Sequence, residues 1–238
     1  MNVIEVENQF YILASSSFSD SRTEVLKQGE SFGVFDLHGD IHQIGQNDLG
    51  LYHEGTRFIS ELQLNIEGQR PLLLTSNKSE NNEIHSVDLT NHDYPDRNGE
   101  MVLRGTIHIL RNKFLLEGVA YERLRLINFG NQRLDFNLQV SFKADFSDIF
   151  EARGTSRVKR GELKTPRAGK ETIVLGYVGL DKILRETHIA FKPAPAKVQK
   201  NEASFSISLE PKEELDIDIN MAFEIAGKKQ KPLPYDIA

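Results

Sequence analysis

The sequence predicts an all-β fold: a large antiparallel β-sandwich with one or two short helical turns. Three observations predict it. Apolar and polar residues alternate with period two over long stretches, glycine and asparagine interrupt them at short intervals, and no long stretch repeats every 3.6 residues.

Taken in chain order, "FGVFDLHGDIHQIG" reads as two strands turning at His38, Gly39 and Asp40, and "QLNIEGQRPLLL" as two more turning at Glu67 and Gly68. Glycine and asparagine tolerate tight and left-handed backbone at least cost, so they mark hairpin tips. Residues 74–100 are polar and rich in Asn and Asp, and read as a surface loop, a short strand and a second loop. "LRLINFGNQRLDF" turns at Gly130 and Asn131. In residues 133–142, Leu134, Phe136, Leu138, Val140 and Phe142 alternate with polar neighbours as a half-buried strand. The stretch 173–191 turns near Asp181 and Lys182. Phe205, Ile207 and Leu209 share one strand face, as do Leu215, Ile217, Ile219, Met221, Phe223 and Ile225, with "EPKEE" as the turn between them. After Ile225 the alternation stops, and Lys228, Lys229, Lys231 and two prolines follow. Residues 1–226 are therefore expected to form the domain, and 227–238 a linker towards a missing C-terminal domain.

Composition bounds the function. At 238 residues the chain fits one large β domain. A net charge of -6 without a basic cluster argues against nucleic acid and anionic membranes as partners. The absence of cysteine excludes thiolate metal sites and cysteine nucleophiles. No basic leader opens the chain and no apolar run approaches the ~20 residues of a membrane span, so the expected home is the cytoplasm. No P-loop, G-x-G-x-x-G or G-x-S-x-G pattern occurs, and no cofactor is expected.

Three constellations carry candidate chemistry. In "SFKADFSDIFEARG", Asp145, Asp148 and Glu151 stand among phenylalanines. Phe146, Ile149 and Phe150 are spaced i, i+3, i+4 for a helical turn that Gly154 would stop, with Phe146 and Phe150 anchoring it to the sandwich. Glycoside hydrolysis needs two carboxylates ~5 to ~9.5 Å apart on opposite sides of the scissile bond. Neighbours on one turn stand side by side, so pairing with Arg153, Arg157 or a neighbouring domain is the better reading. In "GLYHEGTRFIS", Tyr52, His53, Glu54, Thr56 and Arg57 precede a strand at a sheet edge, and Arg57 has the geometry to fork onto a carboxylate. His53 and Glu54, adjacent on an extended chain, would point to opposite faces and make a poor acid and base. In "DLHGDIH", Asp36, His38, Asp40 and His42 resemble a metal set, but a bend at Gly39 is expected to separate them, so no metal site is assigned.

In their order and spacing, "GESFGVFDLHGDI", "GLYHEGTRFISELQL" and "SFKADFSDIFEARG", followed by the Tyr177 to Phe191 hairpin, resemble the N-terminal domain of bacterial glycogen debranching enzymes of the amylo-α-1,6-glucosidase type. The resemblance runs from about Phe10 to Ile225. It implies a supersandwich-like domain preceding an α/α-toroid catalytic domain that holds the acidic catalytic residues, with the sandwich packing on the toroid and shaping its α-glucan cleft. It therefore implies no catalytic residue here. Tyr52, His53, Glu54, Thr56, Arg57, Asp145, Asp148, Glu151 and Arg153 become candidate interdomain or cleft contacts. Relatives often carry an acidic residue where Gly55 stands, so an Asp-Thr-Arg role is not carried over. Two other classes stay open: a free-standing carbohydrate-binding module, against which the absence of tryptophan counts, and a small glycosidase complete in itself.

Overall fold

The computed structural model describes residues 22–42, 48–96 and 99–238, together with the backbone of 3–6 and 9–12. In chain order the strands begin with β1 (Val3–Val6), β2 (Gln9–Ile12), β3 (Thr23–Gln28), β4 (Ser31–Asp36), β5 (Gly50–His53), β6 (Thr56–Ile59) and β7 (Glu61–Ile66). Next come β8 (Leu72–Lys78), β9 (Ile84–Thr90), β10 (Tyr94–Pro95), β11 (Met101–Val102), β12 (Ile107–Leu116), β13 (Val119–Asn128) and β14 (Leu134–Lys143). After the single-turn helix α1 (Ile149–Ala152) the chain adds β15 (Glu162–Ala168), β16 (Thr172–Val178), β17 (Leu184–Lys192), β18 (Lys197–Gln199), β19 (Glu202–Leu209), β20 (Glu214–Ile225) and β21 (Lys228–Lys229).

One layer is a nine-stranded antiparallel sheet in the order β15-β16-β17-β20-β13-β12-β9-β8, with β21 added on β20. Against its inner face lie two four-stranded sheets, β18-β19-β14-β7 and β3-β4-β5-β6. The core lies between: Ile107, Ile109, Leu124, Leu126, Ile217 and Ile219 from the large sheet meet Leu62, Leu64, Phe136, Leu138 and Phe142 from the small ones. Period two thus does its expected work, as β12 and β14 bury alternate residues along their length.

The expected turns are present, but several join sheets rather than closing hairpins. Glu67 and Gly68 both have positive φ, yet β7 belongs to a small sheet and β8 to the large one. The chain likewise changes layer between β13 and β14 and between β19 and β20. After the turn at His38 and Gly39, Ile41 pairs with Leu62 of β7 instead of returning along β4, and the expected continuation over 43–45 lies outside the described residues. Alternation tells which face of a strand is wet and is silent about its neighbour. Residues 74–100 also differ from expectation. They supply most of β8 and all of β9, and β9 is inserted between β8 and β12 with Val87 and Leu89 wholly buried.

Charged residues cross the core. Arg111 and Lys113 of β12 and Glu122 of β13 face inward, each under 4 % exposed. Arg111 donates through Nε to Glu122 Oε1 at 2.8 Å and through Nη1 to Asp40 Oδ1 at 2.6 Å, and Lys113 pairs with Glu122. Arg70 bridges Asp36 and Asp40, and His42 Nε2 lies 3.1 Å from Asp36 Oδ2. Three carboxylates thus meet three basic side chains, which satisfies the rule that buried charges are paired. This corrects the reading of the "DLHGDIH" turn: the bend gathers Asp36, Asp40 and His42, and the cations they face are arginines.

Candidate functional site

The β5–β6 hairpin and the segment after β14 meet at one corner. Glu54 and Gly55 form the hairpin tip with φ of 44° and 73°. Beyond it the chain of 147–149 runs beside β6: Arg57 N donates to Ser147 O at 2.8 Å, Ile149 N to Gly55 O at 3.1 Å, and Thr56 bridges Asp148. The two segments singled out in the sequence are therefore brought together by backbone hydrogen bonds.

Asp145, Asp148 and Glu151 are each held by an arginine. Arg57, 5 % exposed, forks onto Asp145 through Nε (3.1 Å) and Nη2 (2.5 Å) and donates through Nη1 to Leu49 O at 3.3 Å. Asp145 also accepts from Ser147 N and Oγ at 3.2 and 3.0 Å. Burial pushes the Asp145 carboxyl up, but the Arg57 fork and the Ser147 bonds outweigh it and hold the pKa below the usual carboxylate range. Asp148 is the N-cap of α1, accepting from Phe150 N at 2.8 Å and Glu151 N at 3.0 Å, and Glu151 returns a bond to Asp148 N at 3.1 Å. This is a capping box, which secures a helix too short to persist by itself. Arg157 binds the second oxygen of Asp148 and Arg160 lies 3.3 Å from Glu151. Partial burial raises the Asp148 pKa, and the α1 amides with Arg157 more than reverse it.

Phe146 locks the corner from inside. It stacks on Tyr177 with ring centroids 5.6 Å apart and meets Phe58 edge-on. Its φ of 52° is rare for a bulky residue, and the flanking Asp145 and Ser147 bonds hold it there. Phe150 departs from the expected anchor: it is 63 % exposed, and Ala152 is the buried residue of α1. With Phe146 in left-handed backbone and the helix starting at Ile149, the two phenylalanines never share a helical face.

Tyr52, His53, Glu54 and Arg153 complete the set of candidates. Tyr52 is wholly buried, stacked on Phe32 at 4.5 Å and donating to Asp48 O, so it cannot meet a ligand in this state. His53 faces a different depression of about 800 Å³. Its Nδ1 shares a hydrogen bond with Ser31 Oγ at 2.8 Å, and Gly118 lies so close that a Cβ there would come within 3.3 Å of the ring. Because Glu54 is in the turn, its carboxylate lies 3.9 Å from His53 Nε2 rather than on the opposite face. Burial keeps the His53 pKa low against the pull of Glu54 and Glu30. Arg153 caps the C-terminal end of α1 with its side chain exposed.

Beside α1 opens a depression of about 330 Å³, bordered by Asp148, Arg157, Lys159, Arg160, Leu180 and Arg185. The sequence reading passed over Lys159, Arg160, Leu180 and Arg185. The signal for the first two was the basic run 157–160 following the acidic run 145–151. Chemically the corner is an ion-paired scaffold. A general acid for glycosidic cleavage needs a raised pKa, whereas Asp145 and Asp148 are both held ionised.

Fold and site together define a two-layer antiparallel sandwich with a candidate corner in which Asp145, Asp148 and Glu151 are each paired with an arginine. A family model described as the N-terminal domain of (some) glycogen debranching enzymes matches residues 26–220, and the chain belongs to that family. No curated protein matches the sequence itself. Among solved structures, a protein described as a kojibiose phosphorylase from human microbiome superposes with a TM-score of 0.57 at 12 % identity, covering 87 % of this chain and 30 % of that one. The chain thus spans about a third of that relative. A protein described as an aldose 1-epimerase from Escherichia coli K12 (TM-score 0.44, 10 % identity, 85 % of this chain and 99 % of that one) and a galactose mutarotase related enzyme from Lactobacillus acidophilus (0.46, 8 %, 89 % and 100 %) are similar at lower scores. Among the described residues, no helix is long and apolar enough to cross a membrane.

Proposed function

We propose that this chain is the non-catalytic accessory domain of a glycogen debranching enzyme, packing on an α/α-toroid catalytic domain and shaping its α-glucan cleft. The observation that carries the reading is the family match over residues 26–220. The corner gives it a physical form. Its carboxylates are neutralised within the domain, while Phe150, Leu180 and the fully exposed Val158 offer apolar surface around α1 and the depression beside it. Apolar side chains rimmed by paired charges are what an interdomain contact uses.

The test compares three proteins on a branched α-glucan: the whole enzyme, the enzyme lacking this domain, and the 238-residue chain alone. The reading expects no glucose from the chain alone and a loss of stability or a raised KM when the domain is removed. Glucose release by the isolated chain would overturn it. Calorimetric titration of the chain with linear and branched malto-oligosaccharides separates the alternative, because saturable heat would favour a free-standing carbohydrate-binding module.

A further inference from the structure

The outer face of the nine-stranded sheet carries a row of charged side chains that take no part in the ion pairs of the corner. The register sets Gly176 of β16 opposite Glu186 of β17, Glu186 opposite Glu224 of β20, and Glu224 opposite Lys229 of β21. Two carboxylates directly across neighbouring strands repel each other. Glu186 is only 5 % exposed, so water cannot fully relieve that repulsion.

His188 completes the group. Its Nε2 lies 2.8 Å from Glu224 Oε2 and 3.6 Å from Glu186 Oε2, and donor atoms of all three residues fall within 4.8 Å of one another. A tetrahedral ion with bonds of about 2.0 to 2.2 Å needs donors about 3.3 to 3.6 Å apart. Small side-chain shifts close the set.

Two further features fit an ion at this place. Gly176 sits inside β16 opposite Lys164, where β15 bulges between Lys164 and Arg167. A Cβ there would only touch Glu186 Oε1 and Lys164 Cβ, each at 3.4 Å, and its absence leaves the Glu186 carboxylate open on that side. Arg167 donates to Glu186 Oε1 at 2.8 Å, which orients the carboxylate and leaves Oε2 towards His188.

We propose that Glu186, His188 and Glu224 form a binding site for a divalent transition-metal ion of the zinc class, and that Lys229 serves as the local cation when no metal is bound. Lys229 Nζ lies 3.4 Å from His188 Nδ1. With Nε2–H donating to Glu224, Nδ1 is free to accept from Lys229. A metal taking Nε2 moves the imidazole proton to Nδ1, where it faces the ammonium, and Lys229 must withdraw. Three protein donors leave the fourth position to solvent. Metal and Lys229 therefore compete.

The test is titration of the chelator-stripped 238-residue chain with Zn²⁺, followed by calorimetry and thermal unfolding. One ion per chain is expected, with Tm raised by about 5 to 10 °C at a hundredfold excess over Kd. Glu224→Gln, nearly isosteric, and His188→Ala abolish both effects, whereas Lys229→Met tightens binding by removing the competitor. Absence of saturable binding in both the wild type and Lys229→Met overturns the proposal. So does binding that survives in Glu224→Gln and His188→Ala, which would place the ion elsewhere.

Discussion

Two sets of ion pairs in this molecule use the same residue types for different ends. The core set, Asp36, Asp40 and Glu122 with Arg70, Arg111 and Lys113, ties β12 and β13 of the large sheet to the turn after β4 and thereby crosses the layers. The corner set, Arg57 with Asp145, Asp148 with Arg157 and Glu151 with Arg160, borders the surface. Burial makes the difference. In the core a charge that loses its partner cannot turn to water, while at the corner most can. The core set should therefore govern folding, and the outer pairs of the corner should govern what the domain touches.

Substitutions that leave one core charge unpaired should have the largest effect. Arg111→Met strands Asp40 and Glu122 against partial partners, and about 3 to 5 kcal/mol of stability should be lost in urea unfolding. A loss under about 1 kcal/mol would erase the contrast between the two regions.

Next comes His85, buried beside the same set. Burial, then the charges of Lys113 and Arg111, lower its pKa from 6.5 to about 4. The unfolded chain takes up that proton first, so stability is full above pH 6.5 and falls as pH drops towards 4, by about 3 kcal/mol at most. His85→Gln should flatten this part of the pH profile relative to wild type. Equal slopes in the two proteins would remove His85 from the account.

At the corner the effects shrink outward. Asp145→Asn weakens the fork on the buried Arg57 and should cost about 1 to 3 kcal/mol, read by the same unfolding experiment. Asp148→Ala removes an N-cap and should cost about 1 kcal/mol, with local loosening of α1 visible by hydrogen exchange. Arg153→Ala should leave Tm unchanged, since its side chain is exposed and the cap it provides is made by its backbone.

Much of this was legible in the sequence, for identifiable reasons. Period two gave the buried face of β14 and β20, and glycine marked the turns, because both signals are local. Sheet membership was not legible: Gly130 and Asn131 announce a turn but not that β14 crosses to the other layer. The meeting of 50–60 with 141–154 was anticipated only as a pair of motifs; Arg157 was expected as a partner of the acidic segment and binds Asp148, whereas Glu151 is met by Arg160, which the sequence did not single out. The core ion set was least legible. Arg111 and Lys113 stand at alternate positions of β12 that composition alone would assign to solvent, and Glu122, Asp40 and the His38 carbonyl make their burial tolerable. Residues 227–238, expected as a linker, lie back on the outer face: β21 pairs with β20, and Tyr235 sits 4.1 Å from the Arg123 guanidinium. Their three lysines and two prolines do not announce that a tyrosine will dock on an arginine.

The most direct measurement is the affinity of the 238-residue chain for the separately produced catalytic portion, by titration calorimetry, for wild type and for an Asp148→Ala, Arg153→Ala double variant. The account predicts a variant that remains folded by circular dichroism and binds about tenfold more weakly. Unaltered binding, with the variant's stability lowered as far as that of Arg111→Met, would mean that the corner maintains the fold and that the domain meets its partner elsewhere.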